Sequence, residues 1–167
     1  MTPTLAGFHC PGFLWKARRC GFLQQGKDRK NTSSAEWQVK TTHKPAASQV
    51  DDILFGEKVV KHLKSNAIAL VRNGQLIGSG MGQTSRIDAL RQTFAKATER
   101  GFDAKGAVLA SDAFFPFPDS AEITHQNGVQ VIVQPGGSVR DQETIDFCEQ
   151  KKMILIFTGI RDRKSVV

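Results

Sequence analysis

Several absences narrow the class of this 167-residue chain before any motif is read. No apolar run approaches the ~20 residues needed to span a bilayer. With 40% hydrophobic residues, the chain reads as a soluble globular domain able to bury a core. Residues 4–14 hold His9, Pro11 and glycines where a secretory signal needs an unbroken apolar stretch after a basic start. No signal is expected, and the cytoplasm is the expected compartment. The three cysteines, Cys10, Cys20 and Cys148, are odd in number, far apart and never spaced CxxC. That pattern signals neither a disulfide framework nor a zinc site, so a reducing environment and no metal are expected. The HxE and PCxxC motifs that zinc nucleoside deaminases need are both missing, which excludes that chemistry whatever the fold. GxGxxG and Walker A patterns are missing too.

Charge is present in excess, with a net +7, but it is unevenly placed. Through residue 64, 11 Lys/Arg stand against 5 Asp/Glu; beyond it the numbers are 12 and 11, so +6 of the +7 lies in the first third. There Lys16, Arg18, Arg19, Lys27, Arg29 and Lys30 have neither an aromatic platform nor a helical stripe around them. The excess reads as solvated surface, compatible with anionic small ligands, and no nucleic-acid or membrane partner is expected.

Residues 1–20 show no periodicity and are expected to be irregular or foreign to the fold. Residues 37–41 read as a strand. Residues 49–64 carry Ile53, Val59, Val60 and Leu63 at near-helical spacing, with Asp51 and Asp52 placed in the first turn. Strands at 66–72 and 75–79 flank Asn73-Gly74, a hairpin signal of the type I′ kind. The run Gly78, Gly80, Gly82 then leads to a helix opening at Ser85, where Asp88 three residues on suggests a capping box. Such a run either exposes N–H donors to an anion or is a tight strand-to-helix turn. Strands at 107–110, 129–133 and 153–157 alternate with helices at about 119–126 and 140–152. That alternation predicts a three-layer α/β sandwich with ligands at the carboxyl ends of the strands. His43, His62 and His125 read as surface groups.

Residues 111–119, SDAFFPFPD, hold three phenylalanines, two prolines and two aspartates. Pro116 and Pro118 force Phe115 and Phe117 toward extended geometry, so the stretch is no helix. It is either a buried, proline-kinked connection or an aromatic wall with carboxylates for a ligand. SDAFFPFPDS, KSNAIAL, GSGMGQTSRID, QPGGSVRD and FTGIR stand here in the order and spacing of one family. Over residues 21–161 the chain resembles the C-terminal part of the bifunctional purine biosynthesis family, which combines AICAR formyltransferase with IMP cyclohydrolase.

The resemblance implies a fold like the second cytidine-deaminase-like lobe of the formyltransferase domain, with GFLQQ at residues 21–25 as the short strand that precedes it. It also implies the reaction: a formyl group moves from the cosubstrate 10-formyltetrahydrofolate to the 5-amino group of AICAR, giving FAICAR, which the full-length protein cyclises to IMP. Position by position, Asn66, Phe114 and Arg161 match AICAR-binding residues, and Arg86, Ile87, Asp119, Ser138 and Val139 match folate-binding ones. Asp112 would orient its loop from behind. A homodimer with shared sites is implied. The family's catalytic Lys-His pair lies in an earlier lobe and matches nothing here, so this fragment alone is expected to be inactive. Residues 162–167, DRKSVV, depart from the family's tail and are the translation of GATCGGAAGAGCGTCGTG, the start of a widely used sequencing adapter; they are expected to be non-native. Two other readings stand beside this one: a non-catalytic ribonucleotide- and folate-binding module, and a basic nucleic-acid-binding protein.

Overall fold

The computed structural model describes residues 33–160 together with two strands before them, β1 (Phe13–Arg18) and β2 (Gly21–Gly26). These two pair antiparallel, Phe13 opposite Gly26 and Arg18 opposite Gly21, and form a unit separate from the body that carries every other described element. β2 lies where the resemblance implies a short strand at GFLQQ. β1 corrects the expectation of an irregular 1–20: Phe13, Trp15 and Ala17 alternate with Lys16 and Arg18, a period of two that Leu14 and the neighbouring Pro11 and Gly12 obscure.

In the body, Val/Ile/Leu-rich runs dictate central strands. β6 (Val108–Ser111), β7 (Val131–Gln134) and β8 (Ile154–Phe157) are buried at every position. Strands covered on both faces lose the apolar/polar alternation. They lie parallel to one another, and the six-stranded sheet runs β3-β8-β7-β6-β4-β5, with β3 (Gln38–Val39), β4 (Ile68–Arg72) and β5 (Gln75–Gly80) each antiparallel to its neighbour.

Successive residues point to opposite faces of the sheet, which separates the core into two layers. On one face α1 (Ala47–His62) lays Ile53 against Val108, Val131, Val133, Ile154 and Ile156, and Val60 against Ala69 and Ala110. On the other, α2 (Arg86–Glu99), α3 (Asp119–Gln126) and α4 (Asp141–Gln150) cover Ile68, Leu70, Leu109, Ile132, Leu155 and Phe157. The result is the expected three-layer α/β sandwich.

One local expectation needs correction. α1 starts at Ala47, where Gln49 Oε1 accepts from Ala46 N at 2.9 Å, so Asp51 and Asp52 are not first-turn residues. Asp52 instead is buried and accepts from Asn73 N (2.9 Å) and Gly74 N (2.6 Å), clamping the β4–β5 turn. Asn73 and Gly74 have φ of 53° and 72°, the left-handed pair that a type I′ turn requires. The glycine run has a packing cause. A Cβ at Gly78 would lie 2.5 Å from Thr93 O, and one at Gly80 would collide with the Ala89 carbonyl, so β5 can approach α2 only without side chains at those positions.

Candidate functional site

The motif segments lie far apart in sequence, and the strand register gathers them. Ile68 pairs with both Ser111 and Gly80, Ala110 with Val133, and Gln134 with Phe157. The start of β4 and the ends of β5, β6, β7 and β8 therefore share one edge of the sheet. Asn66, the 80–87 turn, the 111–119 stretch, the 135–140 loop and the 158–160 segment all open there, as do the first turns of α2, α3 and α4. The KSN motif precedes its strand, whereas the others follow theirs; the antiparallel setting of β4 puts it on the same edge.

At the centre is Asp112, which is 2% exposed. Its Oδ1 accepts from Ala67 N at 3.1 Å and pairs with Arg86 Nη1, while its own backbone N donates to Ala67 O at 3.2 Å. Arg86 Nη1 also reaches Ala67 O at 3.4 Å, and Arg86 Nε is buried without a partner among the described residues. Arg86 is thus engaged in a buried ion pair behind the edge. Asn66 is half-buried and donates from Nδ2 to Gln83 O at 2.9 Å.

The aromatic stretch divides between the two readings that sequence left open. Phe115 is fully buried, and its N–H donates to Gln134 Oε1 at 2.7 Å, a core anchor. Phe114 is half-buried, and Phe117 is 47% exposed with the Arg140 guanidinium 5.1 Å above its ring. That stack joins the 111–119 stretch to the loop carrying Ser138 and Val139. Asp119, first residue of α3, accepts from Ser120 N at 2.7 Å. Asp141 Oδ2 accepts from Gly137 N (2.6 Å) and Ser138 N (3.1 Å), and Ser138 Oγ accepts from Arg140 N at 3.2 Å. Val139 projects wholly into solvent. Gly136, at φ 72°, has Phe157 ring atoms 2.6 Å from where a Cβ would stand, so no other residue fits that bend.

Two of the N–H donors offered by the glycine run are already engaged. Met81 N donates to Gln92 Oε1 at 3.0 Å and Gly82 N to Lys64 O at 2.8 Å. This favours the tight-turn reading over an anion cradle at residues 81–82. Ser85 caps α2 as expected, accepting from Asp88 N at 3.1 Å, but Asp88 Oδ2 accepts from the Ser85 hydroxyl at 2.6 Å and not from the Ser85 backbone N–H.

Arg161 lies outside the described residues, so its match to the family stands on sequence alone. Ile87 is half-buried at the start of α2. His62 and His43 are exposed, and His125 packs edge-on against Phe147 with ring centres 6.4 Å apart. Among the described residues no His/Cys/Asp/Glu cluster suits a metal ion, and no helix is long and apolar enough to cross a membrane. Sequence reasoning missed Gln134. Its signal was weak: a polar residue closing the strand VIVQ, fully buried in the structure.

The architecture is that of a doubly covered α/β domain whose polar, aromatic and glycine-rich connections open on one sheet edge, where domains of this class carry their sites. Residues 9–96, more than half of the chain, match the model of the AICARFT/IMPCHase bienzyme family, and the chain belongs to that family. The match begins inside the 1–20 segment that sequence set apart as irregular or foreign. The chain is 49% identical over 154 residues to the bifunctional purine biosynthesis protein PurH of Bacteroides thetaiotaomicron, covering 92% of this chain and 30% of that protein. PurH of Aquifex aeolicus is 49% identical over 144 residues (86% and 28%), and PurH of Clostridioides difficile 46% over 138 (83% and 27%). The chain spans about 30% of the length of these curated relatives. A diaminohydroxyphosphoribosylaminopyrimidine deaminase/5-amino-6-(5-phosphoribosylamino)uracil reductase of Thermotoga maritima superposes with TM-score 0.43 at 18% identity, over 64% of this chain and 34% of its own, too slight a likeness to carry any argument.

Proposed function

We propose that this chain is the C-terminal lobe of an AICAR formyltransferase domain, acting in purine biosynthesis as part of a longer cytoplasmic, homodimeric protein. The observation that carries the reading is the convergence of the motif segments on one edge, since loops spread from residue 66 to residue 160 meet there only through the strand register. Formyl transfer to the weakly nucleophilic 5-amino group of AICAR needs the nucleotide and folate held face to face, and a group to move the proton. This lobe supplies the holding.

In this reading Asn66 presents an amide to AICAR, Phe114 its ring, and Arg161 a guanidinium to the nucleotide. Arg86, Ile87, Asp119, Ser138 and Val139 take 10-formyltetrahydrofolate, which supplies the formyl group when bound. Several observed features suit those roles. Phe114 and Phe117 give an apolar shelf with partial exposure, Val139 offers solvent-facing apolar surface, and Asp119 sets a carboxylate at the mouth of the loop. The proton-moving Lys-His pair belongs to the preceding lobe. Neither His62, exposed at the end of α1, nor His125, against Phe147, replaces it.

Calorimetric titration of the 167-residue chain with AICAR, with a reduced folate and with a mixed RNA tests this. Measurable AICAR and folate binding with no salt-sensitive RNA affinity is the expected result. Tight RNA binding without ribonucleotide affinity would replace the reading with nucleic-acid binding through the basic first third.

A further inference from the structure

Five of the eight candidate ligand residues sit on three segments that meet at a single buried carboxylate. Asn66 precedes Ala67, whose N–H is held by Asp112 Oδ1. Arg86 and Ile87 open α2, and the Arg86 guanidinium closes on the same oxygen. Phe114 and Asp119 share the loop that Asp112 heads, and the Asp112 backbone N–H returns to Ala67 O, which also receives Arg86 Nη1. The side chains of Arg86 and Asp112 are 9% and 2% exposed, so this pairing is shielded from solvent and salt. The carboxylate offsets the guanidinium charge it faces, so what Arg86 presents to a ligand is chiefly the fixed direction of its N–H groups.

We propose that Asp112 is a positioning residue for this site: through Arg86 and Ala67 it holds the Asn66, Arg86 and Phe114 segments in one register. It also makes Arg86 a charge-compensated donor, leaving the anionic part of a ligand to another cation. The inference rests on reading this edge as the ribonucleotide and folate site. Displacing a positioned group by a fraction of an ångström costs binding and rate steeply, so a residue touching no ligand can govern the geometry of several that do.

β4 supplies its own control. Asp52 is likewise buried and accepts two backbone N–H groups, but it does so at the opposite end of the strand, around Asn73 and Gly74. In the 167-residue chain, Asp112→Asn keeps shape and one acceptor while removing the charge facing Arg86. We expect the Ala67 amide to exchange with solvent on the order of tenfold faster, and AICAR, titrated by NMR, to bind on the order of tenfold more weakly. Asp52→Asn should leave AICAR affinity within about twofold and speed Ala67 exchange by no more than its own loss of global stability accounts for. Equal loss of AICAR affinity in the two variants would mean a merely structural carboxylate and would overturn the proposal. So would unchanged Ala67 exchange in Asp112→Asn, whatever the affinity. If the parent chain binds no AICAR yet Asp112→Asn alone loosens Ala67, residues 86–87 and Phe114, the positioning role stands and the functional reading falls. Should Asp112→Asn not fold, Arg86→Lys leaves Asp112 a cation but removes the reach to Ala67 O, and the same exchange increase is required of it.

Discussion

Replacing Gly80 by alanine tests how closely the site edge depends on bare backbone. A Cβ at this position would collide with Ala89 O and lie 2.8 Å and 2.9 Å from the carbonyl carbon and Cα of the same residue. The two carbons alone require α2 to retreat by roughly 0.7 Å to reach van der Waals distance. The obstacle is backbone, so no rotamer change relieves it. α2 also packs Ala89, Leu90, Thr93, Phe94 and Ala97 into the core, and a retreat loosens all of them. Overpacking costs about 1–3 kcal/mol when side chains can shift; here the upper end applies, about 3 kcal/mol. Gly101→Ala is the reference, since a Cβ there meets nothing within 4 Å and only the φ of 75° opposes it, worth about 1 kcal/mol. Urea unfolding followed by circular dichroism gives both values. A Gly80→Ala loss no larger than that of Gly101→Ala would refute the close-packing account and reopen the anion-cradle reading of the glycine run.

Asp52→Ala removes two charge-assisted bonds to the β4–β5 turn and should cost about 2–3 kcal/mol in the same assay, with Asp52→Asn retaining part of that; a loss under about 0.5 kcal/mol would contradict the clamp. Burial pushes the Cys148 thiol up to about 12, whereas the unfolded chain ionises near ~8.5. The stability this thiol carries is therefore full below that lower value and is lost as pH rises toward about 12. The urea midpoint should fall more between pH 8 and 10.5 in the parent than in Cys148→Ala, and equal falls would contradict the assignment. Asn66→Ala and Arg161→Ala should each weaken AICAR binding by ~1–3 kcal/mol. Unchanged affinity in both, with native circular dichroism, would sink the residue-by-residue transfer.

Much of the body was legible because its signals are local. Asn73-Gly74 between two apolar runs specifies a hairpin by turn chemistry alone, and Val108, Ile132 and Leu155 sit in short unbroken runs that only doubly covered strands produce. What sequence could not supply is long-range pairing. That Asp112 faces Arg86, 26 residues away, or that Gln134 takes the Phe115 N–H, depends on which strands are neighbours, and no local pattern encodes strand order. Asp52 was misplaced for a related reason. Next to Asp51 it looks like a first-turn helix acid, and its true partners are on the far side of β4. The glycine run was ambiguous because anion cradles and close strand-to-helix packing both need residues without side chains. β1 escaped because six residues of broken alternation beside Pro11 and Gly12 fall below what periodicity resolves.

The central claim, that this chain holds the ligands but not the proton-moving pair of a formyltransferase, is tested most directly by a formyl-transfer assay. AICAR and 10-formyltetrahydrofolate are supplied to the purified 167-residue chain, alone and with the upstream part of a relative's transferase domain added in trans. Loss of a general base typically costs ~10² to 10⁴ in rate. No detectable turnover is expected of the chain alone, and turnover is expected on mixing. Robust turnover by the chain alone would contradict it and would point to a histidine of this lobe, His62 first, as the base.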